Sequence, residues 1–116
     1  MTITETQLHR YARQVVMPEI DEDGQQALLS SRVTILGAGG LGSPVIANLA
    51  AAGVGKLIIC DDDRVDLSNL NRQFIYQEAN VGQPKTQAAK QFIQGLNSDV
   101  TIAVSYTHLT LPTKRI

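Results

Sequence analysis

An α/β fold with a parallel sheet is predicted by three features of this 116-residue chain. The short apolar run Val33-Thr-Ile-Leu36 empties directly into a Gly-x-Gly-x-x-Gly turn, Gly37-Ala-Gly-Gly-Leu-Gly42. A helix start follows at Ser43-Pro44. A second β-rich run, Lys56–Cys60, comes after one helix's length of chain. Strand, glycine turn, helix and strand in this order make a βαβ unit, whose crossover is right-handed and whose strands are parallel. The expected architecture is a Rossmann-like parallel sheet with an N-terminal helical extension.

Residues 1–31 form the extension. Thr4 and Gln7 make a capping box, and Leu8, Tyr11, Ala12 and Val15 follow at helical spacing, which predicts one helix ending before Pro18. Asp21 is the expected cap of a second helix, with Ala27, Leu28 and Leu29 on its buried side. The nucleotide-binding core spans 32–104. Its first strand is Arg32–Leu36, and its first helix runs from Pro44 to Ala52 with Val45, Ile46 and Leu49 turned inward. Gly53 and Gly55 stop that helix before the second strand. A polar connection from Asp61 to Gly82 follows, with Leu67, Leu70 and Phe74 as its expected anchors. Pro84 opens a helix carrying Ala88, Ala89, Phe92, Ile93 and Leu96 at helical intervals. Asn97-Ser-Asp99 stops it, and Val100–Val104 reads as the third strand. The tail, 105–116, has no clear period and a broken Thr/Leu alternation, so it is expected to stand outside the fold as disordered or foreign sequence.

The formal net charge of −1 gives no support to nonspecific nucleic-acid binding. No apolar run approaches the ~18–20 residues that span a bilayer, so no membrane association is expected. The N-terminus is polar and has no apolar core of the kind a secretory signal carries, and the cytoplasm is the default location. Cys60 is the one cysteine. It rules out an intrachain disulfide or a multi-cysteine metal site, and its apolar neighbours predict a buried structural thiol.

The glycine turn is the first candidate site. Gly37 permits the reversal, Gly39 removes a side chain so that a phosphate can approach the backbone, and Gly42 allows close packing. The helix that follows offers unpaired N–H groups and a partial positive charge to an anion. Asp61, Asp62 and Asp63 end the second strand about 20 residues further on, where an acidic side chain accepts a ribose hydroxyl. The bland alternative is a solvated acidic turn. Ser68-Asn-Leu-Asn-Arg-Gln73 lies in the polar connection. There Arg72 is either a surface arginine or a planar fork for phosphates, with Asn69 hydrogen-bonding nearby. Lys85 sits in the first turn of a helix, where a cation opposes the helix dipole. A local rule broken at that position points to a phosphate ligand. Arg13 lies on the polar face of the first helix. His9 and His108 receive no role.

Taken together, Arg10-Tyr-Ala-Arg-Gln14, Gly37–Ser43, Asp61-Asp-Asp63, Asp66-Leu-Ser-Asn-Leu-Asn-Arg-Gln73 and Val81-Gly-Gln-Pro-Lys85 resemble one family in order and spacing. It is the ThiF/MoeB-type adenylyltransferases, bacterial relatives of ubiquitin-activating enzymes, and the resemblance covers about residues 5–103. It implies binding of ATP and Mg²⁺. It also implies adenylation of the C-terminal carboxylate of a small ubiquitin-like sulfur-carrier protein, for molybdenum cofactor or thiamine synthesis. By similarity, Gly40 lies against the nucleotide and Asp61 binds ribose, while Asn69, Arg72 and Lys85 hold the phosphates. Asp63, Ser68 and Gln73 complete the ATP site, and Arg13 reaches it from the other subunit of a homodimer. An aspartate that helps hold Mg²⁺ in the family lies beyond the third strand. The paired Cys-x-x-Cys zinc ligands of many members are absent, as is the later cysteine that some members use for sulfur chemistry. The family domain is about twice this length, so the expectation is a truncated N-terminal half joined to unrelated residues. Two other readings stand beside it: an inert nucleotide-binding fragment, and an NAD-dependent oxidoreductase that would leave Asn69, Arg72 and Lys85 idle.

Overall fold

Two consecutive strand-helix-strand crossovers set the architecture, and the computed structural model describes residues 2–105. Strand β1 (Arg32–Leu36) leads through the glycine turn into α4 (Gly42–Ala52), which returns to β2 (Lys56–Cys60). After a long connection containing two single 3₁₀ turns, α5 (Lys85–Leu96) leads to β3 (Thr101–Ser105). The strands pair in parallel in the order β1-β2-β3, with Ile35 opposite Ile59 and Ile59 opposite Val104. This is a Rossmann-type sheet, as the sequence predicts. Three helices precede it: α1 (Glu5–Arg10), α2 (Ala12–Val15) and α3 (Asp21–Leu29).

Both crossovers advance the same way along the sheet, so a right-handed connection puts α4 and α5 on one face. That face supplies the core. Ile35, Leu57 and Ile59 of the strands pack with Ile46 and Ala50 of α4 and with Ala88, Ala89 and Ile93 of α5. Strand side chains alternate between faces, which leaves Thr34, Leu36, Ile58, Cys60, Ala103 and Ser105 on the other face. None of these six joins the core cluster. No helix among the described residues is long and apolar enough to cross a membrane.

Several expectations are corrected. The first helix is broken at Tyr11, which caps α1 and starts α2. At this break the Tyr11 ring is fully buried, and its hydroxyl donates to Asp99 at 2.8 Å and accepts from Asn97 at 2.9 Å, contacts that a continuous surface helix would not require. Asp21 does not cap α3. It is the first helical residue, with φ of 55°, and its carboxylate accepts the Glu22 N–H. The buried residue of α3 is Gln25 rather than Ala27, because its amide donates to the Ala52 carbonyl at the end of α4. Gln14 donates to the same carbonyl at 3.0 Å. Two polar side chains of the extension thus converge on one carbonyl that a helix end leaves unpaired.

Helix α4 starts at Gly42, and Val45 faces outward while Ile46 is buried. Leu67 and Phe74 do not anchor the connection. They are exposed, and the buried anchors are Val65, Ile75 and Tyr76, with Leu70 partly buried against the core. Leu96 at the end of α5 is exposed as well. Cys60 is half-buried, since its strand position faces away from the helices. The third strand is Thr101–Ser105, one residue later than expected, so Ser105 belongs to the sheet and not to the tail. The rest of the predicted tail, 106–116, lies outside the described residues.

Candidate nucleotide site

The turn between β1 and α4 is built by two glycines with different tasks. Gly37 adopts φ of 100°, a conformation that L side chains rarely take, and its N–H donates to Cys60 at 2.8 Å, extending the ladder. Gly42 is required by contact: a Cβ there would lie 1.8 Å from the Gly37 carbonyl oxygen. The centre of the turn is open. Nothing lies within 4 Å of a Cβ position on Gly40.

Ala38, at the floor of the turn, is held at both ends. Its N–H donates to Asp61 Oδ2 at 2.8 Å, and its carbonyl accepts the Tyr76 hydroxyl. The other Asp61 oxygen accepts the Asp63 N–H at 2.6 Å. Asp61 is therefore buried and already shapes the turn, while Asp62 and Asp63 are exposed. The carboxylate oxygens of the three lie within 4.8 Å of one another. Burial, and then the charge of Asp61, raise the Tyr76 hydroxyl above the usual tyrosine range. No local pattern in the sequence marks Tyr76 or Gln14 for the contacts they make. An aromatic carrying a hydroxyl in an otherwise polar connection was the one available signal for Tyr76.

The connection that holds Ser68–Gln73 is closed at its base. Val65 N–H donates to Gln83 and Gly82 N–H to Val65, at 2.8 and 2.9 Å, and the Lys85 N–H donates to the Asp63 carbonyl at 2.9 Å. This antiparallel bridge sets the start of α5 beside the acidic end of β2. Lys85 is buried, with 6% of its surface exposed, and among the described residues its ammonium makes no hydrogen bond or ion pair. A Cβ on Gly39 would sit 3.9 Å from the Lys85 Nζ and 3.7 Å from the Gln73 Nε2. Gly39, Gln73 and Lys85 are thus brought together.

The other candidates are not. Asp66 accepts from the Ser68 hydroxyl and N–H, which hold it below the usual carboxylate range, with Lys85 adding to the effect. Asn69 accepts the Asp66 N–H at 2.8 Å in a local capping box. Arg72 is exposed and turned back on its own loop, donating to the Ser68 carbonyl and to Asn71, each at 3.0 Å. Arg13 is exposed on α2. Its neighbour Gln14 is bound to the carbonyl of Ala52, at the end of α4 opposite the glycine turn.

The fold and this turn define a Rossmann-type α/β domain. The ThiF family signature matches residues 11–114, and the chain belongs to that family. The match runs into the segment that the sequence reading set apart as a tail. The SAMP-activating enzyme E1 of Haloferax volcanii is 50% identical over 102 residues, covering 88% of this chain and 38% of that protein. The sulfur carrier protein ThiS adenylyltransferase of Escherichia coli is 46% identical over 101 residues, covering 87% of this chain and 40% of its own length. Among solved structures, Escherichia coli MccB with ATP superposes with a TM-score of 0.78 at 31% identity, over 87% of this chain and 32% of that one. The chain thus spans about two-fifths of the length of these curated relatives.

Proposed function

We propose that this chain supplies the nucleotide-binding portion of an ATP-dependent adenylyltransferase acting on the C-terminal carboxylate of a small ubiquitin-like sulfur-carrier protein. One observation carries the reading. Lys85, only 6% exposed and with no hydrogen bond or ion pair from its ammonium among the described residues, flanks a glycine turn whose centre is open. A cation held beside unpaired helix N–H groups, with no protein acceptor of its own, suits an anion seated on the turn. The relatives' names, sulfur-carrier adenylyltransferase among them, and the ATP-bound neighbour agree with a triphosphate as that anion.

In this reading Gly37, Gly39, Gly40 and Gly42 form the seat, and Asp61 and Asp63 take the ribose. Each oxygen of Asp61 keeps a second lone pair for a hydroxyl after accepting its N–H. Ser68, Asn69, Arg72, Gln73 and Lys85 face the phosphates, and Arg72 must leave the Ser68 carbonyl to do so. Mg²⁺ accompanies the triphosphate and neutralises part of its charge. A carboxylate is a weak nucleophile approaching an anionic α-phosphate. Arg72, Lys85 and Arg13 of a second copy offset that repulsion, so the chemistry rests on positioning and electrostatics. One bond forms, carboxylate oxygen to α-phosphorus, and pyrophosphate leaves. A paired-cysteine zinc site cannot form within these 116 residues, since Cys60 is their single cysteine.

Calorimetry with ATP–Mg²⁺, followed by carrier-dependent ATP–pyrophosphate exchange, tests the proposal. Binding with exchange supports it, and NADH binding without exchange replaces it with the oxidoreductase. A second reading, a nucleotide-binding fragment without turnover, is favoured by Arg72 facing its own loop and by the sheet face that no core residue covers. ATP binding without exchange would select that one.

A further inference from the structure

We infer that Gln73 is a positioning residue for Lys85, its amide oxygen taking the Lys85 ammonium and holding that charge over the glycine turn. The inference deepens the nucleotide reading and rests on it for the purpose of the contact, though not for the contact itself. Gln73 is 3% exposed, and its Oε1 is buried without a hydrogen-bond partner. Lys85 is nearly as buried, and its ammonium has no acceptor among the described residues. Both side-chain ends flank Gly39, at 3.7 and 3.9 Å from the point a Cβ would occupy. A buried acceptor without a donor and a cation without a protein acceptor among the described residues are thus set against one glycine.

Rotation of the amide about its last side-chain bond exchanges Oε1 and Nε2, and turns the oxygen from its donor-free side toward the ammonium. The root of the side chain is fixed. The Gln73 N–H donates to Asn69 at 2.8 Å, and its carbonyl accepts the Tyr76 N–H at 3.2 Å. Asp66 feels the Lys85 charge, but its carboxylate is occupied by the Ser68 hydroxyl and N–H. Turned back, the same amide presents its NH₂ group to an anion on the turn. A single side chain would then hold Lys85 in place when the turn is empty and assist it when the turn is filled.

The test is acetylation of the intact chain by acetic anhydride, read residue by residue by mass spectrometry, with Lys56 and Lys90 as internal references. Gln73→Leu should raise the rate at Lys85 about tenfold relative to those references. Gln73→Glu, which keeps an acceptor, should return it to the wild-type rate or below. Equal Lys85 rates in all three chains would overturn the inference. If Gln73→Leu does not fold by circular dichroism, Gln73→Met, of similar length and without an acceptor, decides in its place. A parallel arm adds ATP–Mg²⁺. Failure of ATP to protect Lys85 in the wild type, with the Gln73 effect intact, would remove the nucleotide reading and leave the lysine–amide contact standing.

Discussion

The Tyr76 hydroxyl donates to the carbonyl of Ala38, across 38 residues of sequence, and closes the floor of the glycine turn from the side opposite Asp61. Ala38 has no exposed surface, so no water replaces that donor when it is lost. Tyr76→Phe keeps the ring but orphans a buried carbonyl. It should destabilise the fold by about 1–3 kcal/mol in urea denaturation. The loss should fall on the turn, read as faster amide exchange at Gly37–Gly40.

The same contact predicts an alkaline limit. Burial, then Asp61, raise the Tyr76 hydroxyl in the folded state above its ordinary value of about 10. A group raised on folding contributes stability that is fully present below the unfolded value and is lost as pH rises toward the folded one. Denaturation midpoints should therefore hold steady up to that ordinary value and fall above it. Tyr76→Phe should flatten this alkaline fall, leaving among the described tyrosines what Tyr11, raised chiefly by its own burial, contributes.

The glycines of the turn separate folding from binding. Gly42→Ala places a methyl 1.8 Å from a backbone oxygen, which only a backbone shift relieves. A cost of about 3 kcal/mol or more is expected, measurable as a lowered thermal midpoint. Gly40→Ala meets nothing within 4 Å and should leave stability within about 0.5 kcal/mol. Its methyl would occupy the space proposed for phosphate, so ATP affinity should drop at least tenfold by calorimetry. Normal ATP affinity in Gly40→Ala would show that the open centre of the turn is not the seat.

Much of this was legible in the chain, and the rest was hidden for physical reasons. Strand limits such as Lys56–Cys60 followed from short apolar runs stopped by glycine, because both strand and stop are local properties. The inward faces were less legible. Val45 and Ile46 are equally apolar neighbours, and only the packing of α4 decides which one is buried. In the connection there is no period to read, so Leu67 and Phe74 looked like anchors while Ile75 and Tyr76 held that role. Gln25 and Tyr11 are buried through partners 27 and 88 residues away, Ala52 and Asp99, which no local pattern reveals. The site divided in the same way. The glycine turn and the misplaced cation at Lys85 were visible as local anomalies. The self-bonded state of Arg72 and the orphaned oxygen of Gln73 depend on three-dimensional neighbours.

Lys85 should show stability and binding pulling in opposite directions. Lys85 is 6% exposed, and its ammonium makes no hydrogen bond or ion pair among the described residues and lies at the positive end of α5. In a Gln73→Leu background, where the proposed amide acceptor is gone, Lys85→Met keeps the stem and removes the charge, and should stabilise the free protein by about 1 kcal/mol. ATP affinity should fall by one to two orders of magnitude in the same variant. Denaturation with and without ATP–Mg²⁺ measures both effects in one experiment. A destabilised Lys85→Met in that background would mean that the ammonium has a partner other than Gln73 in the free fold.

Arg13 can be tested by mixing chains. Its neighbour Gln14 is bonded to the carbonyl at the end of α4, and α4 has 11 residues, so about 16 Å of helix axis separates that contact from the glycine turn. An arginine side chain on α2 does not cover such a distance within its own chain. If Arg13 serves a nucleotide, it serves the one held by a second copy. Arg13→Ala and Lys85→Ala chains should each bind ATP weakly when alone. Mixed, they should recover a fraction of wild-type binding, because a heterodimer carries one site with Lys85 from the first chain and Arg13 from the second. No recovery on mixing, with dimers confirmed by light scattering, would remove Arg13 from the site and leave the turn, Gln73 and Lys85 to act within one chain.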